Sequence, residues 1–218
     1  MFRRNGGDHT SGRNSLRAEP VTLVPIPMNF LGHLYLSGDD PLVIVGNFMA
    51  DAVKGRHLDR FPPALRKGIR LHRFIDHRTD THPLSRAGRE RLWPRVGKYA
   101  GVVLDLFYDH LLVRNWDDLH NEPLADFTAR MYALLGAHAD LLEGRPARML
   151  PYMAAEDWLG GYGTWQGLGD TLRGLSMRAV QGAPMQGAEE VLRTNYDAYS
   201  AEFGHFIRDM DQATLSLR

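Results

Sequence analysis

The sequence predicts an all-α protein with one compact multi-helix domain, and three observations carry that expectation. From Met28 onward apolar residues recur at helical spacing, and no stretch shows the sustained alternation of a half-buried strand. Proline and glycine punctuate the chain at intervals of helix length, so starts and stops can be assigned. With 218 residues, 44% hydrophobic and 24% charged, the chain can fill one generous core and has the composition of neither a disordered nor a membrane protein.

Residues 1–27 are rich in Gly, Asn, Ser and Arg without periodicity, which predicts a disordered extension ahead of a domain spanning 28–218, with Met28 an alternative start. The apolar stretch Val21–Pro27 is too short and proline-broken for a signal peptide. No apolar run reaches the ~18 residues of a membrane span. The absence of cysteine excludes disulfides, thiolate catalysis and Cys-ligated zinc, and a cytoplasmic protein without membrane attachment is expected.

After a short apolar segment at 29–36, Asp39–Asp40–Pro41 reads as a cap with proline at the first helical turn, opening a helix over 41–54 that stops at Gly55. Pro62–Pro63 opens a long helix to about Thr81, ended by His82–Pro83. A helix over 83–93 precedes the most apolar segment, 97–116, the expected central helix. Further helices are predicted over 124–142, 145–159, 168–180 and 188–210, with the glycines of 160–169 as the clearest loop.

Within this frame, His72, Asp76 and Asp80 follow at four-residue spacing, drifting only about 40° per step around a helix, so one face presents an imidazole and two carboxylates. Such a nitrogen–oxygen mixture suits Mn²⁺, Fe²⁺ or Mg²⁺ better than a structural zinc site. The alternative is surface pairing of Asp76 and Asp80 with Arg73 or Arg78. His82 closes the same segment. Asp105 and Asp109, again four apart, lie in the most apolar helix with Tyr108 before and His110 after. A carboxylate in a buried helix is costly unless paired or bound to metal, so a metal site is expected there. Asp51, behind Asn47, ends an apolar helix where the dipole disfavours an acid, which hints at a specific partner. His33 interrupts an apolar octet and reads, taken alone, as a hydrogen-bonded core residue. Arg73, beside His72, could hold a phosphate oxygen. No nucleophilic serine motif, Walker loop or dinucleotide fingerprint is present.

The formal net charge of zero is unevenly spread. Between Lys54 and Lys98 thirteen Lys/Arg face four Asp/Glu, a net of +9, which leaves −9 for the remainder. Arg56, Arg66, Lys67, Arg70, Arg73 and Arg78 are the cations closest to the chemical residues. An acidic partner or substrate is one reading and a solvated helix face the other.

Four motifs, Met28–Asn29–Phe30–Leu31–Gly32–His33–Leu34, Gly46–Asn47–Phe48–Met49–Ala50–Asp51, Leu71–His72–Arg73–Phe74–Ile75–Asp76 with Thr79–Asp80, and Asp105 with Tyr108–Asp109–His110, together resemble the acyl carrier protein phosphodiesterases. The resemblance runs in order to about Trp116 and is mainly helical pattern beyond. It implies a metal-dependent enzyme that removes 4'-phosphopantetheine from the serine of holo-acyl carrier protein, distantly related to the all-helical HD-type phosphohydrolases. Carried over to this chain, the divalent cation is Mn²⁺ first, with Mg²⁺ or Fe²⁺ as alternatives. Its ligands are drawn from Asp51, His72, Asp76 and Asp109 with His33 or His110. Arg73 joins the catalytic set, and Asn47, Asp80, His82, Asp105 and Tyr108 stand around it. The Asp109–His110 order reverses the usual His–Asp pair of that superfamily. Carrier proteins are acidic, which fits the +9 segment, and Phe48, Phe74, Tyr108 and Trp116 are candidates to line a groove for the pantetheine arm. Three rivals stand beside this reading. A phosphohydrolase of nucleotides or small phosphodiesters would use the same ligands. A non-catalytic carrier-binding module should have lost one of them, and none is missing. A nucleic-acid binder would leave Asp105 and Asp109 unexplained.

Overall fold

A computed structural model describes residues 30–218; the extension expected over 1–27 and the alternative start at Met28 lie outside the described residues. The described residues form twelve α-helices and no strand. In chain order these are α1 (Phe30–Tyr35), α2 (Pro41–Met49), α3 (Pro63–Thr81), α4 (Pro83–Val96), α5 (Ala100–Arg114) and α6 (Trp116–Leu119). Then follow α7 (Leu124–Ala137), α8 (Gly144–Ala155), α9 (Trp158–Gly161), α10 (Trp165–Arg178), α11 (Glu189–Thr194) and α12 (Tyr196–Thr214). None of these helices is long and apolar enough to cross a membrane.

The proline starts are built as expected. The Asp40 carboxylate accepts from the Leu42 and Val43 amides at 2.9 and 3.3 Å, with Pro41 next in line. His82 caps α4, its Nδ1 accepting from the Leu84 amide at 3.2 Å, while Pro83 forces the residue before it out of the helical region and so ends α3. Elsewhere the chain departs from expectation. The helix expected over 41–54 ends at Met49 and tightens into a 3-10 turn, Ala50–Ala52, which carries Asp51 away from the α2 axis. The expected glycine loop at 160–169 is largely helical. Asp157 caps α9, and the Thr164 hydroxyl accepts from the Gly167 amide at 2.9 Å to start α10. The stretch 188–210 is two helices, broken at Asn195.

The central helix is α5, whose Val103, Leu104, Leu106, Phe107 and Leu111 are fully buried. It is covered from one side by α12, through Phe203 and Phe206 against Tyr108. The closest approach in the fold is between α2 and α3. A Cβ on Gly46 would lie 2.3 Å from the Leu65 carbonyl oxygen, and one on Gly68 2.1 Å from that of Val43. Backbone therefore meets backbone at two glycines. Asn47 sits beside this contact on α2, and His72 one turn beyond it on α3.

Replacing Gly68 by Ala should force the two helices apart. We expect a loss of about 1–3 kcal/mol in urea unfolding, as for other overpacked sites, together with weakened metal binding. Wild-type behaviour in both measurements would show that the crossing has slack.

Candidate metal centre

At the end of that crossing Asn47, fully buried, makes four side-chain contacts. Its Nδ2 donates to the His33 carbonyl at 3.0 Å and to the Ser37 hydroxyl at 2.8 Å. With Nδ2 so engaged, Oδ1 is the acceptor for both His33 Nδ1, at 2.9 Å, and His72 Nδ1, at 3.0 Å. An oxygen without a proton can receive these contacts only as N–H bonds, so both imidazoles carry hydrogen on Nδ1 and turn Nε2 the other way. The rings stack with centroids 4.1 Å apart at 23°, and both Nε2 atoms arrive at Asp76. His33 Nε2 lies 3.1 Å from Asp76 Oδ1 and His72 Nε2 3.2 Å from Oδ2. Asp51 completes the group, its Oδ1 3.1 Å from His72 Nε2.

These residues fit a divalent cation. Ligand atoms of His33, His72 and Asp76 lie within 4.8 Å of one another, and His33 Nε2 is buried without a hydrogen bond despite its nearness to Asp76. Without a cation, a proton on His72 offsets part of the carboxylate charge. Burial works against an imidazolium at His72, but hydrogen bonds and charge from Asp51 and Asp76 outweigh it and hold the group up at about 9. Burial and the charge of His72 push His33 down instead. Burial would raise Asp76, but the two imidazoles hold it well below the usual carboxylate range.

Of the residues marked in the sequence, the structure brings together His33, Asn47, Asp51, His72 and Asp76. It does not bring in the others. The Asp109 carboxylate is taken by backbone, accepting from the Leu31 amide at 3.2 Å and the Gly32 amide at 2.9 Å. It ties α5 to the segment that carries His33, and burial, opposed by those two amides, raises it to about 8. His110, one residue on, points elsewhere on α5, its Nδ1 bonded to the Tyr162 carbonyl at 2.8 Å and its ring against Trp165. Asp105 neighbours Asp76, Asp109 and Asp80 and is pushed well up by burial and by their charge. Asp80 is exposed, and Arg89 lies beside it, donating to its carbonyl at 2.6 Å. His82 is the α4 cap and reaches Asp209 at 3.3 Å. The buried Tyr108 points to Ser85.

Among the cations, Arg73 donates through Nη2 to the carbonyls of Val53 and Gly55, both at 2.9 Å, pinning the chain after the 3-10 turn. Arg66 pairs with Asp59 at 3.2 Å, whereas Arg56, Lys67, Arg70 and Arg78 make no ion pair among the described residues. Phe48, Tyr108 and Trp116 are core residues, Tyr108 beside a small cavity that Gly32 and Asp109 also line. Ser37, which fixes the amide orientation of Asn47, was missed in the sequence, where a serine four residues after His33 carries no distinctive signal.

The acyl carrier protein phosphodiesterase family model matches residues 28–210, more than half of the chain. The chain belongs to this family. It is 33% identical over 191 residues to an acyl carrier protein phosphodiesterase of Salmonella dublin, covering 85% of this chain and 97% of the relative. It is 31% identical over 170 residues to one of Yersinia pestis, covering 78% and 88%. A third, from Serratia proteamaculans, is 31% identical over 188 residues, covering 85% and 96%. No solved structure matches significantly.

Two outcomes follow for the centre of this family member. Asn47→Ala should free both imidazoles to change tautomer and lower Mn²⁺ affinity about 10–100-fold by calorimetry, the usual cost of losing a group that orients ligands; unchanged affinity would contradict the orienting role. The second concerns metal-free protein. A folded His72 pKa of about 9, above the ordinary 6.5, is stabilising below pH 6.5, and that contribution disappears as pH rises through 9. Urea unfolding should show a loss of roughly 3 kcal/mol at most across that window. The loss should be absent in His72→Gln and in protein saturated with Mn²⁺, and a flat profile in the wild type would refute it.

Proposed function

We propose that the protein hydrolyses the phosphodiester between 4'-phosphopantetheine and the serine of holo-acyl carrier protein, giving apo-carrier and 4'-phosphopantetheine. One observation carries the reading. In a chain of this family, a single buried carboxamide turns two histidine Nε2 atoms onto one pair of carboxylates.

A divalent cation there, Mn²⁺ first with Mg²⁺ or Fe²⁺ as alternatives, would supply a water of lowered pKa and charge to offset the phosphoryl oxygens. His33, His72 and Asp76 would hold it, with Asp51 at the open edge. Asp51 has 28% of its side chain exposed, and its Oδ1 is placed to accept the proton of an attacking water. Water oxygen adds to phosphorus, the bond from phosphorus to the serine oxygen breaks, and that oxygen takes up the proton. Asn47 moves no proton; it keeps both Nδ1 atoms occupied so that Nε2 remains the reactive end. An ancestry shared with the HD-type phosphohydrolases belongs to the proposal, supported by the all-helical build and the His/Asp donors. So does a cytoplasmic location.

The test is intact-mass spectrometry of holo-carrier incubated with the protein and Mn²⁺. The carrier should lose the mass of phosphopantetheine with wild type. It should keep it with His72→Ala, with Asp76→Asn, or with excess chelator. No loss with Mn²⁺, Mg²⁺ or Fe²⁺ would sink the proposal. Retained binding of the carrier would then favour a docking module, and no binding a hydrolase of small phosphodiesters.

A further inference from the structure

Arg145 stands on the first turn of α8. Gly144 before it has φ +62° and packs so tightly on the 3-10 turn that a Cβ there would lie 2.9 Å from the Cβ of Ala52. Ala52 follows Asp51, and Arg145 is near enough to Asp51 for the two charges to interact. The arginine is only partly exposed, and Asp51 offsets its charge from a distance without forming an ion pair. Its Nε meets the Met149 thioether at 3.0 Å, and among the described residues no carboxylate forms an ion pair with it.

Glu143, the nearest acid along the chain, is held bidentately by Arg60 at 2.8 and 2.7 Å. Burial first, then positive charge from Arg178 and Arg148, hold the Arg145 pKa below the ordinary value, opposed only in part by Asp51. The first turn of a helix offers a cation no help from the dipole. A partly buried guanidinium with two cations near it and no carboxylate in direct contact keeps its hydrogen-bonding fork open to an anion.

We propose that Arg145 is a phosphate-binding residue of this centre. Its two Nη atoms take non-bridging oxygens of the substrate phosphate beside Asp51, and Arg148 and Arg178 add to the attracting field. The planar fork of a guanidinium matches two phosphoryl oxygens, which a lysine could not do. The inference rests on the phosphodiesterase reading for its substrate, though not for its anion site. It also adds positive charge to the site from outside the 54–98 segment, part of whose own charge is already engaged. There Arg60, Arg66, Arg86 and Arg91 are committed to carboxylates and Arg73 to carbonyls.

The experiment pairs a binding readout with a kinetic one. Inorganic phosphate is titrated calorimetrically into chelator-treated protein, and holo-carrier turnover is followed with Mn²⁺. In Arg145→Gln, phosphate binding should weaken about tenfold, the worth of a charge-assisted hydrogen bond. Turnover (kcat/KM) should fall about 100-fold, as when a group facing developing charge is removed. Mn²⁺ affinity and the melting temperature should stay at wild-type values. Arg145→Lys should recover part of the phosphate affinity and less of the turnover. Wild-type phosphate binding and turnover in Arg145→Gln would overturn the inference, and so would losses that follow weakened Mn²⁺ binding or a lowered melting temperature. If Arg145→Gln does not fold, the exposed Arg178→Gln should weaken phosphate binding to a smaller degree, and wild-type affinity there overturns it. Phosphate binding that depends on Arg145 in a wild type that leaves holo-carrier intact would keep the anion site and remove the phosphodiesterase reading.

Discussion

The backbones of α2 and α3 touch at Gly46 and Gly68, each pressed on a carbonyl oxygen of the other helix. Helix axes usually stand 8–10 Å apart because side chains intervene. Here the absence of two Cβ atoms removes that spacer, and Asn47 and His72 can meet at 3.0 Å without leaving their helices. Asn47 then reaches back to α1 through the His33 carbonyl and Ser37, so one amide joins three helices. The rigidity of the centre is thus inherited from backbone contact and not from long side chains, whose rotamer freedom would have to be frozen.

Charge is handled in the same economical manner. Two carboxylates face two imidazoles, and the raised His72 together with the lowered Asp76 amounts to one proton kept among them. One proton among two carboxylates leaves the group net negative, and a cation held there would take that proton's place. Around it, the buried Asp109 works with backbone amides, where it fixes the position of the His33 segment from below. Arg73 similarly spends its donors on the carbonyls that follow Asp51. In these two cases a residue marked in the sequence also holds its neighbours in place, Asp109 the His33 segment and Arg73 the chain after Asp51.

Much of this was legible in the sequence and some was not, for physical reasons. Helical periodicity and proline starts revealed the all-α class and the bounds of α3, because both signals are local. His72 and Asp76 were legible because four-residue spacing on a helix already implies a shared face. His33 was read as a hydrogen-bonded core residue on its own and as a ligand through the family motif. The structure supports elements of both, since Nδ1 is bonded inside the core and Nε2 faces Asp76. Asp109 was ambiguous in principle. A buried carboxylate can be compensated by a metal or by free amides at a helix start, and the sequence does not say which helix start lies nearby. In the +9 segment the fold offsets only part of the charge counted along the chain, since Glu143 and Glu202 fold back onto Arg60 and Arg91. Arg145 carries no signal in the sequence, because its closeness to Asp51 arises only in the fold.

All the donors, from His33 to Asp76, fall within one short stretch near the start of the described chain, on α1, α2, α3 and the turn between them. Such a centre has low contact order, and local pairings form quickly because little loop entropy stands against them. Its geometry can take shape once α3 has docked on α2, before α7 to α12 are in place. Asp109 is then the late fastener, joining only when α5 packs. During synthesis on the ribosome, a nascent chain of this family could hold a cation while the C-terminal half of its core is still being made.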